Sequence, residues 1–385
     1  VSWAEAGGKV AKTEDLSGVS LETSTPTPAP PPLAPGDPAP WFWVRSDTNP
    51  AFRFSSLGGR YLVLSFLKSF SQNDSAGVFR DFMDGAQRFG AFTTALLLVT
   101  ADPKDENASV PVSVTGVRYF FDFGRGLIRL FAGPSAIEAG LPITYIIDER
   151  LRVLAVITTR DTSRHAADVY AVFDRLRPIA APSPAHRQAP VLIVPHVFEP
   201  QLCKALIAGY DANGGKESGF MVERDGLTVA KFDYSHKRRS DWNMEDAALI
   251  NACHTRIERR LKPEIARAFQ FDATRIERDT IACYEAETGG HFSRHRDNTT
   301  KGTAHRRFAV SINLNAGDYE GGDLIFPEFG RARFRPPTGG ACVFSCSLLH
   351  EATAVTRGKR YVYVPFLYDD AAAALRQENQ KYLVT

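Results

Sequence analysis

A chain of 385 residues with 44% hydrophobic and 23% charged side chains can bury real cores, and a prior of roughly 150 residues per domain gives two or three of them. Lys and Arg total 46 against 44 Asp and Glu, so no global field draws the chain onto nucleic acid or an anionic membrane. No run approaches the ~20 apolar residues of a membrane span. The opening VSWAEAGGKVAKTEDLSG lacks the apolar core of a signal peptide, although the chain begins on Val1 rather than Met, so an upstream signal removed in maturation stays open. The five cysteines, Cys203, Cys253, Cys283, Cys342 and Cys346, form an odd set with no C-x-x-C pair, which suits free thiols in a reducing cytoplasm. Cys342 and Cys346 read as buried small hydrophobes on one side of a strand.

In chain order, ETSTPTPAPPPLAPGDPAP (22 to 40) is too rich in Pro, Thr and Ala to pack, and residues 1 to 36 are expected to be a flexible Pro-rich segment. Residues 37 to 180 form a first domain, in which RYLVLSFL, TTALLLVT and ITYIIDERLRVLAVI are buried-strand runs separated by helical or turn-rich segments. That alternation predicts an α/β fold. APSPAHRQAP (181 to 190) is a linker, and residues 191 to 370 form a second domain. It opens with a short strand and a helix begun at Pro200, with Leu202, Leu206 and Tyr210 on one face. The stretch EDAALINACHTRIERRL predicts a second helix that buries Leu249, Ile250, Cys253, Ile257 and Leu261, with Glu258 and Arg259 solvated. From Ile281 onward the texture is short strands and Gly-rich turns, which predicts a sandwich or jelly roll. Residues 371 to 385 are expected to be a C-terminal tail.

The stretch HFSRHRDNTT (291 to 300) is the chemically densest. In a strand, residues i and i+2 share a side, so His295 and Asp297 would present an imidazole and a carboxylate together while Arg296 faces away. His350 ends another strand-like run, GACVFSCSLLH. Two His and one carboxylate leave open positions on an ion, as in non-haem Fe(II) oxygenases. Alone, H-x-D is more often a surface turn. The order of the downstream motifs strengthens it: YEGGDLIFPE, GGACVFS, His350, and ten residues later Arg360, whose planar fork suits a carboxylate.

Residues 190 to 370 resemble the prolyl 4-hydroxylase group of Fe(II)/2-oxoglutarate dioxygenases, most strongly in IACYEAETGGHFSRHRDN, INLNAGDYEGGDLIFPE and LLHEATAVTRGKRYVYVPFLYD. The resemblance implies an α+β double-stranded β-helix (jelly-roll) domain. It implies His295, Asp297 and His350 as Fe(II) ligands, Arg360 on the C5 carboxylate of 2-oxoglutarate, and Tyr284 lining the cosubstrate pocket. Asn313 falls where many members place a tyrosine for that same carboxylate. The chemistry implied uses O2 and converts 2-oxoglutarate to succinate and CO2 while a substrate is hydroxylated; ascorbate is expected alongside.

Residues 35 to 178 resemble the peroxiredoxin branch of the thioredoxin fold, through GDPAPWFWV, GGRYLVLSFLKSFSQNDSAGVFRDF and LPITYIIDERLRVLAVI. Pro142 sits where that fold usually places a cis-proline. At the position of the peroxidatic cysteine the loop SFSQNDSAG offers Asp74 or Ser75, and no cysteine precedes Cys203. A serine at its usual pKa cannot replace a low-pKa thiolate, so this domain is expected to be catalytically silent, with a docking or structural role.

The remaining polar residues have plainer readings. His291 and His305 are expected to be solvated, and His196 a satisfied strand-edge residue. Lys301, Arg306 and Arg307 are expected to solubilise a loop rather than attract an acidic substrate. Gly321 and Gly322 suit a tight hairpin whatever the chemistry. The polar segment 213 to 243 is expected to be a lid hinged at Asn213 to Gly215. The expected substrate is a prolyl or other side chain of a peptide or protein, against a free amino acid or small molecule. Rival classes are a thiol-peroxidase-type redox protein and a non-catalytic scaffold.

Overall fold

A computed structural model describes residues 31–90, 92–106, 114–134, 136, 142–184 and 188–383. In its first half, seven strands form one sheet: β1 (Trp43–Ser46), β2 (Phe52–Arg53), β3 (Tyr61–Leu67), β4 (Thr94–Thr100), β5 (Val117–Phe121), β6 (Ile143–Ile147) and β7 (Val153–Thr158), in the order β2-β1-β5-β4-β3-β6-β7. β3, β4 and β5 run parallel, while β6 and β7 add on antiparallel. The near-continuous apolar text of β3 and β4 follows from burial on both faces. Leu62, Leu64 and Phe66 of β3 share a core with Phe131 of helix α2 (Gly126–Ala132). The alternating residues Val63 and Leu67 meet α1 (Asn73–Asp84) and α3 (His165–Phe173) on the opposite face.

Ser75 is buried and Asp74 exposed in the first turn of α1. The Leu141–Pro142 bond lies outside the described residues, as do residues 1–30 and residues 185–187 of the expected linker. Residues 31–36 lie along the first core rather than apart from it: the Leu33 N–H donates to Phe131 O at 2.7 Å and the Gly36 N–H to Val153 O at 2.8 Å.

The second half begins with β8 (Leu192–Val194) and α4 (Pro200–Asn213), which buries Leu202, Leu206 and Tyr210 as its spacing predicts. The single helix expected over 245–261 is longer and irregular. α5 (Ala247–Arg256), capped by the Asp246 carboxylate, passes through a π turn at Ile257–Leu261 into α6 (Lys262–Phe269). Pro263 has no N–H to give, and the register change lies just before it. Arg259 is not a solvated residue: its Nη2 lies 2.7 Å from the Asp37 carboxylate, which Arg260 also meets at 3.0 Å.

The segment 213–243 is mostly strand. β9 (Lys216–Glu217), β12 (Lys237–Arg238) and β13 (Ser240–Asn243) are woven into the sheets, and only the hairpin β10 (Phe220–Arg224) with β11 (Leu227–Lys231) stands apart as a pair. Next come β14 (Arg275–Glu277), β15 (Thr280–Glu285), β16 (His291–His295), β17 (Phe308–Asn313), β18 (Glu320–Gly321) and β19 (Leu324–Ile325). β20 (Arg333–Phe334), β21 (Ala341–Ser345), β22 (His350–Ala352), β23 (Val355–Arg357), β24 (Lys359–Tyr363) and β25 (Phe366–Tyr368) complete the set.

A sheet of nine strands is built around β14-β25-β17-β24-β15-β13-β9, with β21 and β8 joined through β17; the order β12-β16-β22-β19-β20 makes a second sheet of five. Tyr284, Phe292, Phe326, Phe344 and Val362 fill the core between these sheets. The helices cover the other face of the larger one, over Ile312 and Tyr363. The run GACVFSCSLLH is thus two strands with a turn between, and His350 opens β22. Residues 370–379, expected as tail apart from their first, form helix α7 (Asp370–Asn379), capped by Asp369.

Candidate active site

Register, more than strand alternation, assembles the metal-type cluster. His295 is the last residue of β16, and His350 is its cross-strand partner on β22. This puts the two imidazoles side by side, with centroids 4.2 Å apart. Asp297 lies beyond the strand, in a turn pinned by its own N–H to Cys346 O at 2.9 Å. Its Oδ1 lies 3.5 Å from His295 Nε2 and its Oδ2 3.4 Å from His350 Nε2, and the candidate ligand atoms all fall within 4.8 Å of one another.

The tautomers follow from the partners. His295 Nδ1 faces Ser293 O at 2.7 Å and His350 Nδ1 faces Leu348 O at 3.0 Å. A carbonyl can only accept, so each Nδ1 carries a proton, and each Nε2 is the ring atom that faces the Asp297 carboxylate. Burial pushes the His350 imidazole down to about 4, keeping it neutral. Two imidazoles and one carboxylate, converging and partly or fully buried, are a donor set that fits a divalent transition metal.

Arg360, on β24, is the second feature. Only 3% exposed, it donates from Nη2 to Ser311 Oγ at 3.0 Å and Asn313 Oδ1 at 3.4 Å, and lies 5.1 Å from the Tyr284 ring centroid. Its Nε has no hydrogen-bond partner, and no carboxylate among the described residues pairs with it. A buried cation without a counter-charge costs several kcal/mol, on the order of 3–5. The fold therefore holds a place for an anion beside the triad. Asn313 stands behind Arg360, its Nδ2 donating to Pro336 O at 2.9 Å, whereas Tyr284 is on the cavity wall.

The triad, Arg360 and Tyr284 line one cavity of about 630 Å³, roofed by Phe220, Met221 and Val222 of the β10–β11 hairpin. The same wall carries Lys237 and Arg239, which the sequence reading passed over. Arg239 Nη2 donates to Asp241 Oδ2 at 2.7 Å and its Nη1 to the Tyr284 hydroxyl at 3.3 Å. The signal was present: Lys237, Arg239 and Asp241 alternate in KRRSD and so share one side of an extended chain.

The plainer expectations need correction in part. His305 is buried rather than solvated, with Nε2 2.6 Å from Glu277 Oε2, and Arg306 pairs with the same carboxylate at 2.7 Å, so it does not serve to solubilise a loop. His291 is half-buried and bonds to Gly289 O and Ser235 O, apart from the triad. His196 is not on a strand edge but exposed in the turn after β8, at φ 56. Gly321 and Gly322 do not close the tight hairpin expected of them: β18 pairs with β23 and β19 with β20 and β22, so their φ of 71 and 65 carry the chain from one sheet to another, and a Cβ on Gly321 would collide with Ala354 O.

Residues 280–368, which contain the triad, Tyr284 and Arg360, match the family model described as the 2OG-Fe(II) oxygenase superfamily. The chain therefore contains a 2OG-Fe(II) oxygenase domain, a class that works with Fe(II), 2-oxoglutarate and O2. Among individual proteins it is similar to a PKHD-type hydroxylase of Pseudomonas fluorescens, 36% identical over 112 residues that cover 27% of this chain and 47% of the relative. A PKHD-type hydroxylase of Nitrobacter winogradskyi is 35% identical over 80 residues, covering 19% of this chain and 35% of the relative. The chain thus spans about half or less of the curated relatives it matches. Among solved structures, a prolyl-4-hydroxylase of Pseudomonas putida aligns with 47% of this chain and 94% of its own, at 18% identity and TM-score 0.38. A prolyl hydroxylase of Trichoplax adhaerens, in complex with a hypoxia inducible factor peptide fragment, aligns with 49% and 87%, at 16% identity and TM-score 0.37.

Proposed function

We propose that this protein is an Fe(II)- and 2-oxoglutarate-dependent hydroxylase whose metal is held by His295, Asp297 and His350. The supporting observation is the conjunction of a converging His-Asp-His set with a buried arginine that has no carboxylate of its own, 280–368 being the region of the family match. When bound, the metal and cosubstrate supply the oxidative decarboxylation that drives hydroxylation of a C–H bond. The protein's part is positional. The Ser293 and Leu348 carbonyls fix both imidazole tautomers, and the turn bond from Asp297 to Cys346 sets the carboxylate. Arg360, steadied by Ser311 and Asn313, takes the distal carboxylate of 2-oxoglutarate, and Arg239 orients the Tyr284 hydroxyl on the same wall. Phe292, stacked 3.5 Å from the His295 ring, and Phe344, 4.6 Å from that of His350, keep water from the ligands.

The domain of 191 to 370 is, on this reading, a double-stranded β-helix. Residues 37 to 180 form a peroxiredoxin/thioredoxin-like domain, supported by the run β4-β3-β6-β7, in which a parallel pair is extended by an antiparallel hairpin. That domain does no thiol chemistry, because the chain's cysteines all come later and are all buried. Free thiols suit a reducing cytoplasm. No helix among the described residues is long and apolar enough to cross a membrane. The preferred substrate is a prolyl or other side chain of a peptide or protein, supported by the hairpin over the cavity; a free amino acid or small molecule is the alternative.

The test is succinate formation from 2-oxoglutarate together with Fe(II) binding. Asp297→Ala and His350→Ala are each expected to lose both, with the fold retained by circular dichroism. Succinate formed at the parent rate by both variants removes the assignment.

A further inference from the structure

With Arg360 assigned to the cosubstrate, the cavity still carries more positive than negative charge, and the surplus lies on another part of its lining. Arg239 and Asp241 form an ion pair with each other, as described. Glu277 is taken by Arg306 at 2.7 Å and His305 at 2.6 Å. Lys237 and Arg278, both lining the cavity, are left. Buried Lys237 rests its Nζ on neutral groups, Ser218 Oγ at 2.7 Å and Gly219 O at 2.6 Å, with no carboxylate in ion-pair reach among the described residues. Arg278 Nη2 reaches Asp241 Oδ2 only at 3.4 Å, after Ser218 and Arg239 have already engaged that oxygen.

The backbone supplies an independent observation. Arg278 joins β14 to β15 at φ 73, in the left-handed region. That conformation costs a residue with a Cβ about 1 kcal/mol or more, and glycine or asparagine would adopt it more easily. What the arginine brings instead is a guanidinium at the cavity wall. The subsite also lies close to the triad: Lys237 Nζ is 4.9 Å from the centroid of Phe292, the ring that stacks on His295.

We propose that Lys237 and Arg278 form an anion subsite, and that the substrate carries a carboxylate beside the position it presents for hydroxylation. This rests on the oxygenase reading above, which gives Arg360 to 2-oxoglutarate. An uncharged substrate would seal Arg278 away from water with only a shared carboxylate, whereas a substrate carboxylate beside Lys237 and Arg278 is met by donors from both. Burial, with Arg239 next, pushes the Lys237 ammonium down to about 6, and a carboxylate beside it reverses that shift. The carboxylate has two sources, an acidic side chain flanking the target in a peptide or the α-carboxylate of a free amino acid.

The full chain, loaded with Mn(II) in place of Fe(II) and saturated with 2-oxoglutarate, is titrated calorimetrically with two acid and amide pairs. These are acetyl-Glu-Pro-Glu-amide with acetyl-Gln-Pro-Gln-amide, and L-proline with L-prolinamide. The acid of one pair is expected to bind at least about tenfold more tightly than its amide. Lys237→Met and Arg278→Gly are each expected to erase most of that preference and leave 2-oxoglutarate binding unchanged. Preference in the peptide pair identifies a side-chain carboxylate, and preference in the proline pair an α-carboxylate. Equal binding within both pairs, or no binding by any probe, overturns the proposal. Glycine suits φ 73, so Arg278→Gly should melt no lower than the parent, which separates loss of the subsite from loss of the fold. Failure of 2-oxoglutarate itself to bind the Mn(II)-loaded parent overturns the oxygenase reading, and this proposal with it.

Discussion

Arg360 is a buried cation whose hydrogen-bond partners, Ser311 and Asn313, are both neutral, so a bound dicarboxylate supplies the charge its surroundings lack. Arg360→Met is expected to raise the apparent KM for 2-oxoglutarate roughly thirtyfold, the equivalent of about 2 kcal/mol for one charge-assisted contact, with Fe(II) affinity unchanged. An unaltered KM would give that role to another cation. Glu277 makes a pH-dependent contribution of known sign. Burial raises its carboxyl, but His305 and Arg306 outweigh burial and set it well below the ordinary carboxylate range. A depressed folded-state value means stability that is complete above the unfolded carboxyl's value, about 4.3, and lost as pH falls below it. Urea midpoints measured from pH 6 to pH 3 should fall less steeply in Glu277→Gln than in the parent; parallel curves would show that the pair adds nothing. His295, Asp297, His350 and Arg360 could be singled out from sequence because spacing and residue type suffice to flag them. His305 could not, because its role depends on Glu277, 28 residues away, which only the fold brings near, whereas Lys237 and Arg239 left only the weak signal of alternation with Asp241.

At the scale of elements, text and structure agree where burial is two-sided and differ where an element depends on what it packs against. YLVLSFL and TALLLVT form β3 and β4 because a strand covered on both faces has to be apolar throughout. The polar text of 213–243 hides strands, since β9, β12 and β13 are short and take their stability from the sheet neighbours they pair with. The helix of 370–379 was hidden likewise: apart from Ala372 it buries little, and its cap at Asp369 is the main local signal. These strands also bear on how a lid can be tested. Removing 216–238 would cut β12 away from β16, the strand that ends in His295, so the cut belongs at 220–231, within the hairpin. That deletion frees the Gly302 N–H from Thr228 Oγ1, a loss of about 1–3 kcal/mol that leaves both sheets intact. It is expected to spare Fe(II) and 2-oxoglutarate binding and to abolish hydroxylation coupled to 2-oxoglutarate turnover, read by a gain of one oxygen in the product's mass. Undiminished coupled hydroxylation rejects the lid.

Across the whole molecule, the two halves meet at one buried carboxylate. Asp37 is fully buried and lies 2.7 Å from Arg259 and 3.0 Å from Arg260, in the helical stretch that begins the second half's core. Arg260 continues to Val197 O and Glu199, and Arg152, from the first half, donates to both Gly36 O and Pro195 O. Gly36 takes φ 93 where a Cβ would collide with His196 O, so the approach is too close for any other residue. This junction explains why residues 31–36 are ordered although their composition reads as linker: they are held from both sides. Removing the charge at the centre leaves two guanidiniums facing each other, one of them buried, with only Glu199 as a further carboxylate among the described residues. Asp37→Asn keeps the shape and is expected to cost about 3–5 kcal/mol, the usual penalty for breaking a buried pair from one side. Adding Arg260→Met to that variant should restore part of the loss, because the stranded charge goes with it. The measurement is the urea midpoint and slope of the full chain followed by tryptophan fluorescence, which also reports whether the halves unfold together. An Asp37→Asn midpoint equal to the parent's would show that the junction carries no stability, and that the halves are merely adjacent.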